Sequence, residues 1–164
     1  MSGYAVGDKV VFAPHGAGVV IATEHRDDAW GEYLSIRIAN STLTLMVPAA
    51  AAEEKGVRPI LDDKGVKALL TSLAEDPQAL PENPQDRARR ANERLRSGKT
   101  DILAGIVRDY TGLERGGKKL TATEMGALNN AKNTLAAEIA LATDIAPDAA
   151  LERLELALGN ELPS

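Results

Sequence analysis

The chain has 164 residues, of which 44% are hydrophobic and 26% charged, a composition typical of one ordinary or two small globular domains and unlike that of a disordered protein. It contains no cysteine, which excludes disulfides and thiolate metal sites, and its net charge of −5 would repel a polyanion from most of its surface. No apolar run approaches the ~18 residues of a membrane-spanning helix, and the N-terminus lacks the basic and apolar segments of a signal peptide. We therefore expect a cytoplasmic protein with no membrane partner.

The first 61 residues alternate between polar and apolar side chains with the period of two that is typical of strands. Four strands are predicted in DKVVFAP, VVIATEHR, EYLSIRIAN and STLTLMVP. A fifth, in VRPIL, is expected at an edge, because Pro59 cannot donate a hydrogen bond to a neighbouring strand. In the third and fourth strands the alternation turns Arg37, Thr44 and Met46 outward. Short strands joined by tight turns predict a small antiparallel β-barrel over residues 1–61.

From Asp62 onward the apolar period becomes that of helices. Residues 62–82 are predicted to form a short helix and a proline-bearing linker, and residues 83–164 an all-α helical bundle. The expected helices of the bundle lie near 84–97, 100–113, 121–142 and 147–159. Thr121 and Glu124 have the spacing of a capping box at the start of the third of these. The sequence therefore predicts a two-domain α+β protein.

Basic residues are concentrated in the segment NPQDRARRANERLRSGK, residues 83–99. On a helix, Ala88, Ala91 and Leu95 form a narrow apolar stripe that could dock on the bundle. The remaining surface is predicted to leave the arginines in water: Arg87, Arg89, Arg90, Arg94 and Arg96. Guanidinium groups suit phosphate oxygens, so this helix is a candidate DNA-binding element. A solvated helix face, with Glu93 as an ion-pair partner, explains the same charge pattern.

Residues with catalytic or metal-binding chemistry are sparse. His15 and His25 are the only imidazoles, and neither has the spacing of a known metal motif. The serines and threonines have no evident base partner. No recognition helix rich in Asn and Gln, and no zinc-finger spacing, points to reading of base edges. We expect no enzyme activity, no metal and no cofactor, and any DNA contact is expected to involve the backbone.

Several segments together resemble a known family. VGDKVVFAPHGAGVV, EYLSIRIANSTLTLMVP and GVRPIL look like the N-terminal domain of the CarD/CdnL family of bacterial transcription regulators. NERLRSGKTDILAGIVRDY and LTATEMGALNNAKNTLAAEIALA are similar to its C-terminal domain, so the resemblance covers nearly the whole chain in order. It implies a Tudor-like (SH3-like) barrel that binds the RNA polymerase β subunit. It also implies a helical domain that contacts promoter DNA at the upstream edge of the melted bubble, and association with the nucleoid through polymerase.

The resemblance also implies site residues. Arg26 matches a basic residue that the family uses against polymerase, and Met46 occupies the position of a second arginine. The outward residues Arg37 and Thr44 complete the predicted polymerase-binding surface. The predicted DNA-binding residues are Pro84, Arg87, Arg89, Arg90 and Arg94. Among these, Pro84 replaces the tryptophan that the family wedges into the minor groove, whereas Arg87 and Arg89 match basic positions.

Two functions remain in competition. The first is a monomeric, non-enzymatic regulator that binds the polymerase β subunit and contacts promoter DNA at its backbone and minor groove, which would modulate the stability of the open complex. The second is a divergent relative that acts as a protein-interaction module on polymerase without stabilising the bubble. Pro84 and Met46 favour the second function, whereas the arginine cluster favours the first. As a wedge, proline is one of the side chains that can unstack bases; it is also an ordinary first-turn residue of a helix.

Overall fold

The N-terminal part of the chain forms a five-stranded antiparallel sheet. A computed structural model describes residues 3–12, 15–39 and 41–159. The strands are β1 (Lys9–Phe12), β2 (Gly16–His25), β3 (Glu32–Ile38), β4 (Thr44–Pro48) and β5 (Val57–Pro59), with one turn of 3-10 helix at Ala49–Ala51. Their order across the sheet is β4-β3-β2-β1-β5. The strands are short and joined by tight connections, as their alternating sequences predict.

One side of this sheet carries a hydrophobic core. Its buried side chains include Val10, Val20, Leu34, Ile36 and Val47, and Leu34 and Ile36 are two residues apart on β3, as the alternation of period two requires. A β-bulge between Val20 and Ala22 shifts the register of β2 against β3 and leaves Ile21 unpaired and exposed. On β3 and β4 the opposite side carries exposed and half-buried residues, among them Ser35, Arg37 and Thr44.

The predicted barrel is observed as an open sheet. β4 and β5 are its two edges, and no ladder joins them within the part of the chain that the structure describes. Closure requires hydrogen bonds between the first and last strands, which side-chain alternation alone does not specify. The edge position of the strand that contains Pro59 is confirmed, since β5 pairs only with β1.

The C-terminal part consists of five helices. They are α1 (Asp63–Leu73), α2 (Pro84–Ser97), α3 (Thr100–Arg115), α4 (Ala122–Thr143) and α5 (Pro147–Ala157). The predicted starts and ends agree within two residues because local signals define them. Asn83 caps α2, and Gly98 ends it in the left-handed conformation. The capping box of Thr121 and Glu124 is confirmed at the start of α4.

A second hydrophobic core joins all five helices. Tyr110, Leu135, Ile139 and Leu154 are among its fully buried side chains. α1, which the sequence analysis assigned to the connecting segment 62–82, also contributes to this core through Val66, Leu69 and Leu73. The domain limits 1–61 and 83–164 stay predictions, and their termini, 1–2 and 160–164, lie outside the described residues.

The sheet and the helices are joined by charged contacts to α4. Arg58 of β5 donates two hydrogen bonds of 2.8 Å to the carboxylate of Glu138, which is fully buried and also accepts from the backbone N–H of Leu61 at 3.0 Å. Lys9 of β1 donates to the carbonyl of Leu141 at 2.7 Å and to Asp144 at 3.0 Å. Bidentate pairing fixes orientation as well as distance, so these contacts set the angle between sheet and helices.

Candidate functional site

The arginine-rich helix α2 begins at Pro84 in the first helical position. The Oδ1 of Asn83 accepts hydrogen bonds from the backbone N–H groups of Gln85 and Asp86 at 2.8 and 3.4 Å. Proline suits this position because its missing N–H would have no partner within the helix. Of the predicted apolar stripe, Ala91 is fully buried, whereas Ala88 and Leu95 are half-buried. The narrow apolar stripe of α2 thus faces the bundle as predicted, and polar contacts attach the helix in addition.

Arg87 is the side chain that anchors α2. It is only 4% exposed, and its Nε donates to Oε2 of Glu124 at 2.9 Å. Its Nη1 donates to the carbonyl of Glu82 at 2.7 Å, so the same guanidinium holds the chain that enters the helix. Tyr110 donates from its hydroxyl to the carbonyl of Arg87 at 2.5 Å. Arg87 therefore connects α2 to α3, to α4 and to the preceding segment.

Burial and the hydrogen bonds between Arg87 and Glu124 shift the pKa of both side chains. Burial alone would raise the pKa of Glu124, but hydrogen bonds from Arg87 and from the backbone and hydroxyl of Thr121, together with the positive charge of Arg87, lower it below its usual value. The hydrogen bond to Glu124 raises the pKa of Arg87. Burial raises the pKa of Tyr110. Arg87 and Glu124 are therefore both charged at neutral pH, and the hydrogen bonds between them stabilise the charged forms.

Arg94 also faces the bundle. Its Nη1 lies 3.3 Å from Oδ2 of Asp109, and 17% of the Arg94 side chain is exposed. Asp109 is buried and accepts further hydrogen bonds from Arg108 and from the backbone N–H of Gln78, both at 2.9 Å. Gly105 of α3 has no side chain at the place where the Arg94 guanidinium packs. Arg94 is thus a second point of attachment between α2 and α3.

The outward side of α2 carries the remaining cations. Arg89, Arg90 and Arg96 are exposed, as is Lys99 just beyond the helix. Arg89 forms an ion pair with Asp86, one turn earlier. These four cations define what we call the α2 basic face. Pro84 is exposed at its N-terminal end.

The prediction that all the arginines of α2 remain in water is wrong for Arg87 and Arg94. Each lies opposite a buried carboxylate, and an unpaired buried carboxylate would be costly. Sequence reasoning missed Glu124 and Asp109 as partners because they are far along the chain from α2. Asp109 lies next to the core residue Tyr110, which is a weak signal of burial, and Glu124 carries no such signal in its flanking residues.

The four predicted polymerase-binding residues lie together on the outward side of the sheet. Arg26 directly follows β2, and its Nη2 donates to the Sδ of Met46 at 3.2 Å. Its guanidinium also lies 5.1 Å from the centre of the Tyr33 ring. Met46 is 39% exposed. Arg37 and Thr44 are exposed and directly opposite each other in the ladder of β3 and β4. The outward orientation of Arg37, Thr44 and Met46 is therefore confirmed.

Asp28 organises the hairpin beside this surface. Its Oδ1 accepts from the backbone N–H groups of Trp30 and Gly31 at 2.9 and 3.1 Å, and its Oδ2 accepts from the Tyr33 hydroxyl at 2.9 Å. The bond from Tyr33 is the main cause of the lowered pKa of Asp28, and it raises the pKa of Tyr33. The turn leaves Trp30 half exposed at the hairpin tip. Tyr33 and Asp28 were not predicted as part of the site.

The described residues contain no group of three or more His, Asp or Glu side chains that could hold a metal ion. Among the helices of residues 63–157, none is both long and apolar enough to cross a bilayer.

Comparison with known proteins places both parts of the chain in one family. Residues 4–61 match the model of the CarD-like/TRCF RID domain, and residues 68–155 match that of the CarD C-terminal domain. The chain is also similar to a protein of Bacillus subtilis (strain 168) named "Putative transcription factor YdeB". The two are 27% identical over 140 residues, which cover 83% of this chain and 90% of the relative.

Proposed function

Because the chain belongs to the CarD family, we propose that it is a transcription regulator that binds the RNA polymerase β subunit through its sheet and contacts promoter DNA through α2. The name of the Bacillus relative supports the general role. In this proposal the sheet is an open form of the Tudor-like barrel. The polymerase-binding surface consists of Arg26, Arg37, Thr44 and Met46.

One observation carries the DNA part of the proposal: the arginines of α2 are divided into two anchors that pair with buried carboxylates, Arg87 and Arg94, and an exposed basic face. A chain of net charge −5 gains nothing for solubility from a cluster of outward cations on a rigidly held helix. Phosphate groups are the natural counter-charge for such a cluster. Tethering to polymerase would raise the effective concentration at the promoter, so a modest intrinsic affinity suffices.

The proposed DNA-contacting set is accordingly Arg89, Arg90 and Arg96, with Pro84 at the end of the helix nearest the expected bubble edge. Arg87 and Arg94 act in this proposal as positioning residues, because their guanidinium groups are occupied by carboxylates. They orient the helix, and the exposed arginines contact the backbone without reading sequence.

The lifetime of an open promoter complex tests the proposal. Cognate polymerase would form the complex on a labelled promoter fragment with and without the protein, and a competitor would then prevent rebinding. We expect the protein to change the lifetime, and the Arg90→Ala/Arg96→Ala variant to reduce the change. No change in lifetime, with polymerase binding demonstrated in parallel, would contradict the DNA role.

The second candidate is an interaction module that binds polymerase without acting on the bubble. Pro84 favours it, since this residue is fully accounted for as the first residue of α2 and the family's tryptophan is missing there. A photo-crosslinker at position 89 or 96 separates the two candidates. Crosslinks to promoter DNA in the polymerase complex support the first, and crosslinks to protein alone support the second.

A further inference from the structure

A polar cleft separates the sheet from the side of α4 that faces it. Its volume is about 470 Å³, and it lies between Ile38 at the end of β3 and the α4 residues Gly126, Asn129 and Asn133. Pockets at the junction of two structural units are common ligand sites. Neither the polymerase-binding surface nor the α2 basic face includes any of these residues.

The side of α4 that lines the cleft is rich in residues that are weak helix formers. Ten of the 22 residues of α4 are alanine or leucine, whereas Gly126, Asn129, Asn130 and Asn133 follow one another along the cleft. Glycine and asparagine are weaker helix formers than alanine, and an alanine at 126 would meet no atom within 4 Å. Packing thus does not require a glycine at position 126, and a local rule broken without a packing reason is a mark of function.

The asparagine amides in the cleft are available for binding. Asn130 accepts a hydrogen bond from the Thr134 hydroxyl at 3.2 Å, whereas no described residue hydrogen-bonds the amides of Asn129 or Asn133. Both side chains are exposed to solvent. Each amide offers one acceptor oxygen and two donor hydrogens, the complement of the N–H and C=O of a peptide group.

The spacing of the two amides matches an extended peptide. Four residues along a helix correspond to a rise of about 6 Å. Alternate residues of an extended chain are separated by roughly 6.6 Å and present the same side. We propose that the cleft binds an extended, uncharged peptide segment of a partner protein, with Asn129 and Asn133 pairing with backbone groups of alternate residues.

Charge and shape both favour a peptide over a nucleic acid. The described residues that line the cleft include no lysine, arginine, aspartate or glutamate. Phosphates would therefore find no lysine or arginine there, and His15 is the one described lining residue that can carry a positive charge, whereas an uncharged backbone needs no counter-charge. Gly126, which has no side chain, and Ala137 leave room for a backbone to approach, and Ile38 supplies an apolar contact for a peptide side chain.

Peptide selection on the full-length protein tests this proposal. Peptides that bind the Asn129→Ala/Asn133→Ala variant would first be removed from a displayed library of random decapeptides. The remaining peptides would then be selected for binding to the unaltered protein. We expect enriched peptides that bind the unaltered protein and lose at least tenfold in affinity on the double variant. The control Asn92→Ala, at an exposed asparagine of α2, is expected to leave their affinity unchanged. Peptide titration is expected to shift the side-chain amide NMR signals of Asn129 and Asn133.

We expect the Asn129→Ala/Asn133→Ala variant to fold, because alanine is a better helix former than asparagine. Its melting temperature is expected to exceed that of the unaltered protein. The proposal is overturned if no peptide is enriched, or if the amide signals do not move. It is also overturned if a single-stranded oligonucleotide shifts those signals and the peptides do not. Each of these results leaves the open-complex experiment unaffected, because the cleft and the α2 basic face share no residue.

Discussion

Arg87 and Glu124 form an ion pair closed to solvent, in which Nε lies 2.9 Å from Oε2 and the Glu124 side chain has no exposed surface. They are 37 residues apart in the sequence. The pair connects α2 to the first turn of α4, where Glu124 also closes the capping box with Thr121. The direction in which the exposed arginines of α2 point depends on it.

Replacing Arg87 is expected to destabilise the fold, whereas replacing Arg90 is not. Arg87→Met leaves the buried Glu124 carboxylate without its partner, a change that typically costs about 3–5 kcal/mol in the free energy of unfolding. Arg90→Met alters an exposed position and is expected to change it by less than about 0.5 kcal/mol. Urea denaturation followed by circular dichroism measures both. Equal effects of the two substitutions would contradict the anchoring role of Arg87.

The same pair predicts a dependence on pH. Since the pKa of Glu124 is lower in the folded protein than in the unfolded chain, its contribution is complete above the unfolded value of about 4.3 and is lost as the pH falls through the folded value. Glu124→Gln removes the charge at every pH. The difference between the unfolding free energies of the two proteins should therefore be largest near pH 7 and should shrink as the pH falls below the unfolded pKa of about 4.3. A constant difference across urea titrations at pH 7, 5, 4 and 3 would be inconsistent with an ionised pair.

A third prediction concerns the salt dependence of DNA binding. Each phosphate contact contributes about 0.9 to the slope of log K against log salt concentration. Arg90→Ala and Arg96→Ala should each reduce the magnitude of the slope by about that amount, as measured by fluorescence anisotropy with a promoter fragment. Arg153→Ala, at an exposed arginine of α5, serves as the control and should leave it unchanged. If Arg90→Ala and Arg96→Ala both keep the original slope, the α2 basic face does not contact phosphates.

The polymerase-binding surface is tested by reversing one charge. Arg26→Glu removes the contact with Met46 and the stacking on Tyr33, and it places a carboxylate beside Glu24. We expect binding to the isolated polymerase β subunit to weaken at least tenfold in a surface-based assay. Arg153→Glu makes the same change of charge on the helical part and should bind normally. Normal binding by a folded Arg26→Glu protein would exclude Arg26 from the interface.

The elements of the fold were predictable because their signals are local. Asn83 caps its helix through contacts two and three residues away, and Thr121 pairs with Glu124 across one turn. The alternation in β3 and β4 likewise determined that Arg37 and Met46 face outward. Closure of the sheet was mispredicted, because it depends on how β4 and β5 approach each other in three dimensions, which no alternation pattern encodes.

The candidate site was predictable on the sheet and only partly on α2. On the sheet, alternation along each strand determines which side chains face outward, so the predicted residues lie close together on one face. On α2, the helical period gave the exposed positions but could not reveal that Arg87 and Arg94 lie against carboxylates from other helices. Glu138 offered a stronger signal, since it lies between Ala137 and Ile139 in a run of apolar residues, where a charge requires a partner.

Arg58 is that partner, and the last prediction concerns its pairing with Glu138. Arg58→Ala leaves a fully buried carboxylate with only the N–H of Leu61, so we expect a loss of about 3–5 kcal/mol in unfolding free energy. Arg58→Met/Glu138→Leu removes both charges together and is expected to recover most of that loss, because a buried pair often contributes little over apolar packing.

Hydrogen exchange at the Leu61 amide should accelerate in both variants, since each loses a contact that orders this junction. If the double variant were as unstable as Arg58→Ala, the pair itself, and not the orphaned charge, would be what stabilises the junction of sheet and helices.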